Sequence, residues 1–117
     1  CVRAADDFGK KVVVDMICVD NIPAKVTQME ELGAHILAVH TGADQQAEGR
    51  TPLDDLKVMT DCAKKAKIAV AGGISSKTID KYVALKPDII IVGSAITRAA
   101  DPVEEARLIK EAIKKSQ

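Results

Sequence analysis

Short apolar runs alternate along this chain with longer segments of helical periodicity. The runs are rich in Val, Ile, Leu and Ala and lie at 12–17, 35–40, 67–71 and 88–92. After the first run, Ile22, Val26 and Met29 recur with the spacing of one helix face. Continuous apolar runs are typical of parallel strands that helices cover. The pattern therefore predicts four βα units and a parallel α/β sheet.

Capping residues mark where the predicted helices begin. Asp20-Asn21 and Asp101 each offer an N-cap, and each is followed by a proline within the first helical turn. After the third apolar run, Ser75 or Ser76 is expected to cap the next helix. These positions place a helix directly after each predicted strand.

Four βα units make only half of an eight-stranded (β/α)8 barrel. Alone, they would expose two sheet edges and the inner face of the strands. Three arrangements stay open: the second half of a full barrel, two copies paired into one barrel, or a small doubly wound sheet. Residues 1–8 read as the end of a helix that stops at Gly9, which favours part of a longer barrel. We expect residues 1–117 to form one domain, a parallel (βα)4 half-barrel.

Glycine turns follow the third and fourth apolar runs, at Gly72-Gly73 and at Gly93-Ser94. A strand that stops on glycine and opens a helix leaves backbone N–H groups, and the positive end of the helix dipole, available to an anion. Glycine also permits a tight turn without any ligand. Because the two turns come in tandem, and strands 7 and 8 of such barrels hold phosphate there, we predict a phosphate site.

His40 and Asp15 interrupt the apolar runs. His40 ends the second run, where an imidazole that titrates near neutrality could move a proton, or could simply support the following loop. Asp15 lies inside the first run, and a buried carboxylate must be paired or functional because desolvation is costly. The polar loop at 43–51 is long for a βα connection, as loops that carry chemistry often are.

Composition and charge argue against several classes of function. Lys plus Arg and Asp plus Glu both number 17, and aromatic residues make up 2%. Nucleic-acid binding therefore has neither a basic stripe nor a stacking platform. No apolar run approaches the length of a membrane span. Cys1, Cys18 and Cys62 show no metal-binding spacing, and their odd number suggests reduced thiols and a cytoplasmic location.

Four segments occur in the order and at the spacing of a known family, at 12–17, 40–49, 69–74 and 91–97. Together they closely resemble the C-terminal half of the 3-hexulose-6-phosphate synthase family. That family belongs to the orotidine-monophosphate-decarboxylase group of (β/α)8 barrels. The resemblance covers essentially the whole chain, as the end of helix 4 and then strands 5 to 8. Its most specific part is the loop that begins His40-Thr41-Gly42.

The resemblance implies an aldehyde-lyase that joins formaldehyde to ribulose 5-phosphate through a metal-bound enediolate. It implies Mg²⁺, a sugar-phosphate substrate and a homodimer, with His40 and Asp15 as catalytic residues. The family's Asp-x-Lys-x-x-Asp signature and most of its metal ligands lie on strands 1 to 3. This chain has no such signature after any predicted strand, so we assign it no metal ligand and expect it to be inactive alone.

The nearest alternative is the 3-keto-L-gulonate-6-phosphate decarboxylase family. That family tends to carry Glu, Arg and Thr where this chain has Asp15, Ala43 and Ala71, which favours the synthase. Related decarboxylases tend to hold phosphate with an Arg at the position of Thr97, so we treat Arg98 as a surface residue. A non-catalytic half-barrel or a flavodoxin-like binding module also stays open.

Overall fold

The computed structural model describes residues 1–17, 19–41, 48–49 and 52–115. Four strands alternate with helices, as the apolar pattern predicts. Cys18 and most of the loop at 43–51 lie outside the described residues. The elements are α1 (Val2–Asp7), β1 (Val13–Asp15), α2 (Ile22–Glu31), β2 (Ile36–His40), α3 (Pro52–Cys62), β3 (Lys67–Ala71), α4 (Ile79–Val83), β4 (Ile89–Ile91), α5 (Ser94–Thr97) and α6 (Pro102–Lys115).

The four strands form one parallel sheet in the order β1-β2-β3-β4. Each strand therefore pairs with the next one along the chain, as in a (β/α)8 barrel. A flavodoxin-like doubly wound sheet would place its first strand between the second and third. That alternative is wrong for this chain, and the fold is a parallel (βα)4 half-barrel.

The helices cover one face of the sheet and bury it. Leu37, Val39, Ile68 and Val70 alternate along the two central strands and are at most 5% exposed. They join the buried helix residues Val26, Leu56 and Met59 in one apolar core. This core explains why the two central strands are long apolar runs with few aromatic residues.

The opposite face of the sheet, which we call the open face, is exposed along the two edge strands, whereas Ala38 and Ala69 at its centre are buried. Val13 is 55% exposed, Ile89 37% and Ile91 48%, although all three are large apolar residues. Asp15 lies on the same face, and its side chain is 52% exposed. The prediction of exposed inner strand faces is confirmed, whereas the prediction that Asp15 is buried is wrong, because the helices cover only the other face.

The N-caps predicted at Asp20-Asn21 and at Asp101 are confirmed, the first of them at Asn21. Asn21 Oδ1 accepts a hydrogen bond from the Ala24 N–H at 3.3 Å, and Asp101 Oδ1 accepts one from the Glu104 N–H at 3.2 Å. Each carboxamide or carboxylate oxygen thus satisfies one of the N–H groups left free at a helix start. Both caps fix where a helix begins relative to the strand before it.

The predicted cap at Ser75 or Ser76 is wrong, because α4 begins only at Ile79. Residues 75–78 instead form a turn, in which Thr78 Oγ1 accepts a hydrogen bond from the Ser75 N–H at 2.9 Å. Ser76 is held from outside the turn, by a side chain of α6. The turn is therefore held by local bonds, including one from the Lys77 N–H to Ser75 Oγ at 3.3 Å, and by this distant contact.

Side chains at the amino-terminal end of the sheet satisfy the backbone that enters the strands. His35 Nδ1 accepts a hydrogen bond from the Val12 N–H at 3.0 Å, and Asp88 Oδ2 accepts one from the Ile68 N–H at 2.9 Å. The other ring nitrogen of His35, Nε2, lies 3.0 Å from Asp6 Oδ1. Both nitrogens of His35 are therefore engaged by the protein itself.

Glu30, in the last turn of α2, performs the same role before β3. Its carboxylate accepts hydrogen bonds from the N–H groups of Lys64, Lys65 and Ala66. Burial alone would raise the pKa of Glu30, but these three N–H groups and the charge of Lys65 together hold it below its ordinary value. Glu30 therefore fastens the end of α2 to the segment that leads into β3.

Candidate functional site

A cleft of about 580 Å³ lies at the carboxyl-terminal end of the sheet. It collects residues from three strand ends and from the turns that follow them. Such strand ends are where parallel α/β folds place their ligands. The residues that line it are His40, Thr41, Ala71, Gly72, Gly73, Ile74, Ile91, Gly93, Ser94 and Arg98.

The first glycine turn, Gly72-Gly73, has a backbone that favours glycine at both positions. Gly72 has a φ of 107° and Gly73 a φ of 67°, in the left-handed region that side chains disfavour. Among the described residues, neither N–H group donates a hydrogen bond to the protein. Both N–H groups therefore remain available to an anion in the cleft.

The second glycine turn, Gly93-Ser94, contributes two further N–H groups to the same cleft. Within the described part of the chain these also donate to no protein acceptor. A Cβ built on Gly93 would meet no atom within 4 Å, so this backbone is open to an approaching ligand. The two turns are brought side by side by the pairing of Ala71 with Ile91.

The predicted contribution of helix dipoles to this site is wrong. The first glycine turn leads into the turn at residues 75–78, and α4 starts only at Ile79. The second leads into α5, which spans only four residues and carries little aligned dipole. The attraction for an anion therefore depends on individual N–H groups and on nearby positive charge.

His40 and Asp15 form a hydrogen-bonded pair on the open face, beside the first glycine turn. His40 Nδ1 lies 2.9 Å from Asp15 Oδ2, and Asp15 Oδ1 accepts a hydrogen bond from the Ile17 N–H at 3.0 Å. The sheet register explains the contact, because Asp15 is opposite Ala38 and His40 lies two residues further along on the same face.

The pair has a direct chemical consequence for His40. An ionised carboxylate can only accept, so His40 Nδ1 carries the proton that it shares with Asp15. In the neutral ring, Nε2 then keeps its lone pair and can take up a proton. No hydrogen bond among the described residues engages His40 Nε2. This arrangement suits a residue that moves a proton at the cleft.

Arg98 is a cleft residue that the sequence analysis missed. It is exposed, as expected for a surface residue, but it also lines the cleft beside the second glycine turn. Its N–H donates to the Ser94 carbonyl at 2.9 Å, which places Arg98 one helical turn after Ser94. That spacing of four residues was the available signal, since such residues lie on one side of a helix.

The described residues do not by themselves form a metal site. They bring together no group of three or more His, Cys, Asp or Glu side chains that could hold a metal ion. Asp15 and His40 are only two such groups, and they bond to each other, whereas Mg²⁺ takes six ligands, mostly oxygens. In this part of the chain there is also no helix long and apolar enough to span a membrane.

Relatives of known sequence are similar over almost the whole chain. The 3-hexulose-6-phosphate synthase of Staphylococcus epidermidis is 47% identical over 112 residues, which are 96% of this chain and 53% of that protein. The synthase of Staphylococcus haemolyticus is 46% identical with the same coverage. The chain thus spans about half the length of the curated relatives it matches.

Solved structures give the same result. The crystal structure of 3-hexulose-6-phosphate synthase from Salmonella typhimurium is 60% identical, with a TM-score of 0.95 over all of this chain and 56% of that one. The crystal structure of KGPDC from Streptococcus mutans is 23% identical, with a TM-score of 0.74 over 97% of this chain and 52% of that one, and shows the fold alone. These neighbours are (β/α)8 barrels, in agreement with the half-barrel.

The family is also shown directly from the sequence. The model of the orotidine 5′-phosphate decarboxylase / HUMPS family matches residues 1–109. This match includes all four strands, both glycine turns and the His40–Asp15 pair. The chain belongs to the orotidine 5′-phosphate decarboxylase / HUMPS family.

Proposed function

We propose that this chain forms the phosphate-binding half of a 3-hexulose-6-phosphate synthase. This aldehyde-lyase joins formaldehyde to ribulose 5-phosphate. One observation carries the proposal: His40 and the two glycine turns come from three different strands and line one cleft at their carboxyl ends. The similarity to synthases at 47% and 60% identity supports the synthase over the decarboxylase, whose solved example is 23% identical.

Four N–H groups and one guanidinium bind the substrate phosphate in this proposal. The N–H groups of Gly72, Gly73, Gly93 and Ser94 donate to its oxygens, as backbone nests do in other phosphate sites. Arg98 supplies the positive charge that these short turns lack, and a guanidinium matches the geometry of phosphate. The phosphate would anchor the substrate with its carbon chain directed along the open face.

His40 and Asp15 act together on the other end of the substrate. His40 Nε2 takes up or returns a proton at the carbon that joins formaldehyde, while Asp15 holds the ring through Nδ1. Asp15 also stabilises the imidazolium that forms when His40 is protonated.

The family resemblance implies Mg²⁺, which would stabilise the negative charge of the enediolate. Since the described residues form no site for it, we expect its ligands elsewhere, and we expect the 117-residue chain alone to be inactive. We further propose that the active protein is a cytoplasmic homodimer. The mass of the purified protein in solution would test the dimer, and a monomeric active enzyme would contradict it.

The first experiment measures formaldehyde-dependent loss of ribulose 5-phosphate with Mg²⁺. The chain is assayed alone and then mixed with the N-terminal half of a related synthase. Activity that appears only in the mixture supports the proposal. Activity of the chain alone would show that the absent signature is not required. It would overturn the proposal that this chain supplies only the phosphate-binding half of the enzyme. Decarboxylation of 3-keto-L-gulonate 6-phosphate by the mixture would favour the decarboxylase, and phosphate binding without either activity would indicate a non-catalytic half-barrel.

A further inference from the structure

A carboxylate from the last helix holds the segment that follows the first glycine turn. Glu105 Oε1 accepts a hydrogen bond from the Ser76 N–H at 2.8 Å, and Glu105 Oε2 accepts one from the Ser76 hydroxyl at 2.9 Å. The two residues are 29 positions apart in the sequence. A bidentate contact to a charged acceptor is stronger than an ordinary hydrogen bond and also fixes orientation.

The contact reaches the first glycine turn through a short series of bonds. Thr78 Oγ1 accepts a hydrogen bond from the Ser75 N–H at 2.9 Å and lies 3.3 Å from the Gly73 carbonyl oxygen, to which it can donate. Ser75 and Ser76 are thus held by Thr78 on one side and by Glu105 on the other. The Gly73 carbonyl is thus connected through Thr78 to the segment that Glu105 holds.

Glu105 also belongs to the unit that carries the second glycine turn. It lies near the start of α6, which follows α5 and packs against both α5 and α4. The phosphate site is therefore built on two turns from separate βα units, and one side chain connects them. Strand pairing sets the distance between the strands, but it does not fix the conformation of the turns beyond them.

We propose that Glu105 is a positioning residue for the phosphate site. It holds the Gly72 and Gly73 N–H groups in register with those of Gly93 and Ser94, so that all four reach one phosphate monoester. The inference rests on the proposed function, since it assumes that phosphate binds between the two turns. Hydrogen bonds weaken steeply with distance and angle, so a small shift of one turn would weaken binding.

The test compares three variants by titration with inorganic phosphate. Binding is followed through the amide signals of Gly72, Gly73 and Gly93 in ¹H–¹⁵N NMR spectra. We expect Glu105→Ala to weaken phosphate affinity about tenfold, because the turn loses its fixed geometry. Glu105→Gln should bind within about twofold of the parent, since its amide can both accept from the Ser76 N–H and pair with the hydroxyl. Glu104→Ala is the matched control, because Glu104 bonds to Arg107 and not to the turn.

The outcomes separate the positioning role from the site itself. If Glu105→Ala lowers the melting temperature but binds phosphate as the parent does, Glu105 is merely structural and the inference fails. If the parent shows no shift at either glycine turn, the phosphate site fails, and the role of Glu105 with it. If Glu105→Ala does not fold, Ser76→Ala removes only the hydroxyl contact and should weaken binding about threefold. Unchanged binding in a folded Ser76→Ala protein would then overturn the inference.

Discussion

The two ends of the sheet differ in whether their backbone N–H groups have side-chain acceptors. At the amino-terminal end, side chains of His35, Glu30 and Asp88 accept hydrogen bonds from N–H groups at the start of two strands, β1 and β3. At the carboxyl-terminal end, the N–H groups of both glycine turns donate to no acceptor in the described part of the chain. One end uses its polar groups for stability, and we propose that the N–H groups at the other end bind the substrate phosphate, as the (β/α)8 architecture leads one to expect.

The two histidines of the chain show the same contrast on a single strand. His35 precedes β2 and uses both ring nitrogens, on the Val12 N–H and on Asp6. His40 ends β2 and uses one nitrogen on Asp15. The same residue type is thus part of the scaffold at one end of the strand, and at the other end we propose that it moves a proton. Substitutions at both ends would test this contrast.

The largest effect is expected for His40→Ala, assayed in the active mixture with a synthase N-terminal half. Loss of the group that moves the proton should lower kcat about a hundredfold or more, with little change in KM, because the phosphate contacts remain. Steady-state kinetics of the parent and the variant would measure this. Unchanged turnover would remove His40 from the mechanism.

The matched control at the other end is His35→Ala. It removes the acceptor of the Val12 N–H, so it should reduce the free energy of unfolding by about 1–2 kcal/mol while leaving kcat and KM nearly unchanged. Chemical denaturation together with the same assay would show whether His35 serves stability and His40 serves activity. Equal losses of activity in both variants would abolish the contrast.

A smaller effect is expected when the second glycine turn is covered by a side chain. In Gly93→Val, the new Cβ meets nothing within 4 Å, but the native φ of −120° and ψ of −93° lie outside the backbone regions that side chains favour, so the variant should fold with some loss of stability. The side chain should also obstruct the N–H groups and cost about 1.5–3 kcal/mol of phosphate binding. The loss is read as weaker protection by phosphate against thermal unfolding. Ala100→Val, at an exposed position that does not line the cleft, is the control.

The smallest effect is expected in the pH dependence of stability, and it involves Glu30, at the amino-terminal end of the sheet. Desolvation opposes ionisation of Glu30, but the three N–H groups outweigh it, so the pKa of this carboxyl is lower folded than unfolded. The contribution of Glu30 to the free energy of unfolding is therefore complete above the ordinary glutamate pKa of about 4.3. It is lost as the pH falls through the lowered pKa of the folded protein. Because Glu30 is solvent-accessible, we expect only about 1 kcal/mol from it. Thermal unfolding between about pH 3 and pH 6 should show a weaker acid dependence in Glu30→Gln than in the parent.

The fold was largely predictable because its signals are local. Apolar runs, the N-caps at Asn21 and Asp101 and the stop at Gly9 each act within a few residues, and all three agree with the structure. The cap expected at Ser75 or Ser76 failed for the opposite reason. The turn found there is held in part by Glu105, 29 residues away, and a local sequence pattern contains no information about such a partner.

The site was predictable only where the architecture dictates it. Residues at strand ends, such as His40 and the two glycine turns, could be named because parallel strands meet at one edge. Arg98 and Glu105 were missed since their place depends on how α5 and α6 pack, which a sequence pattern does not specify. The exposure of Asp15 was missed because an apolar run indicates a strand without showing how many of its faces are covered.

The sequential strand order has a consequence for how this chain reaches its native state. Every strand pairs with the strand before or after it in the sequence, so no pairing must wait for a distant segment to return. Loop closure over one helix costs little entropy, and contacts of short sequence separation favour rapid folding. The central pair, β2 and β3, has the longest register and the most buried side chains, so we expect it to form first. Assembly can then spread outward one unit at a time, in the direction of either edge.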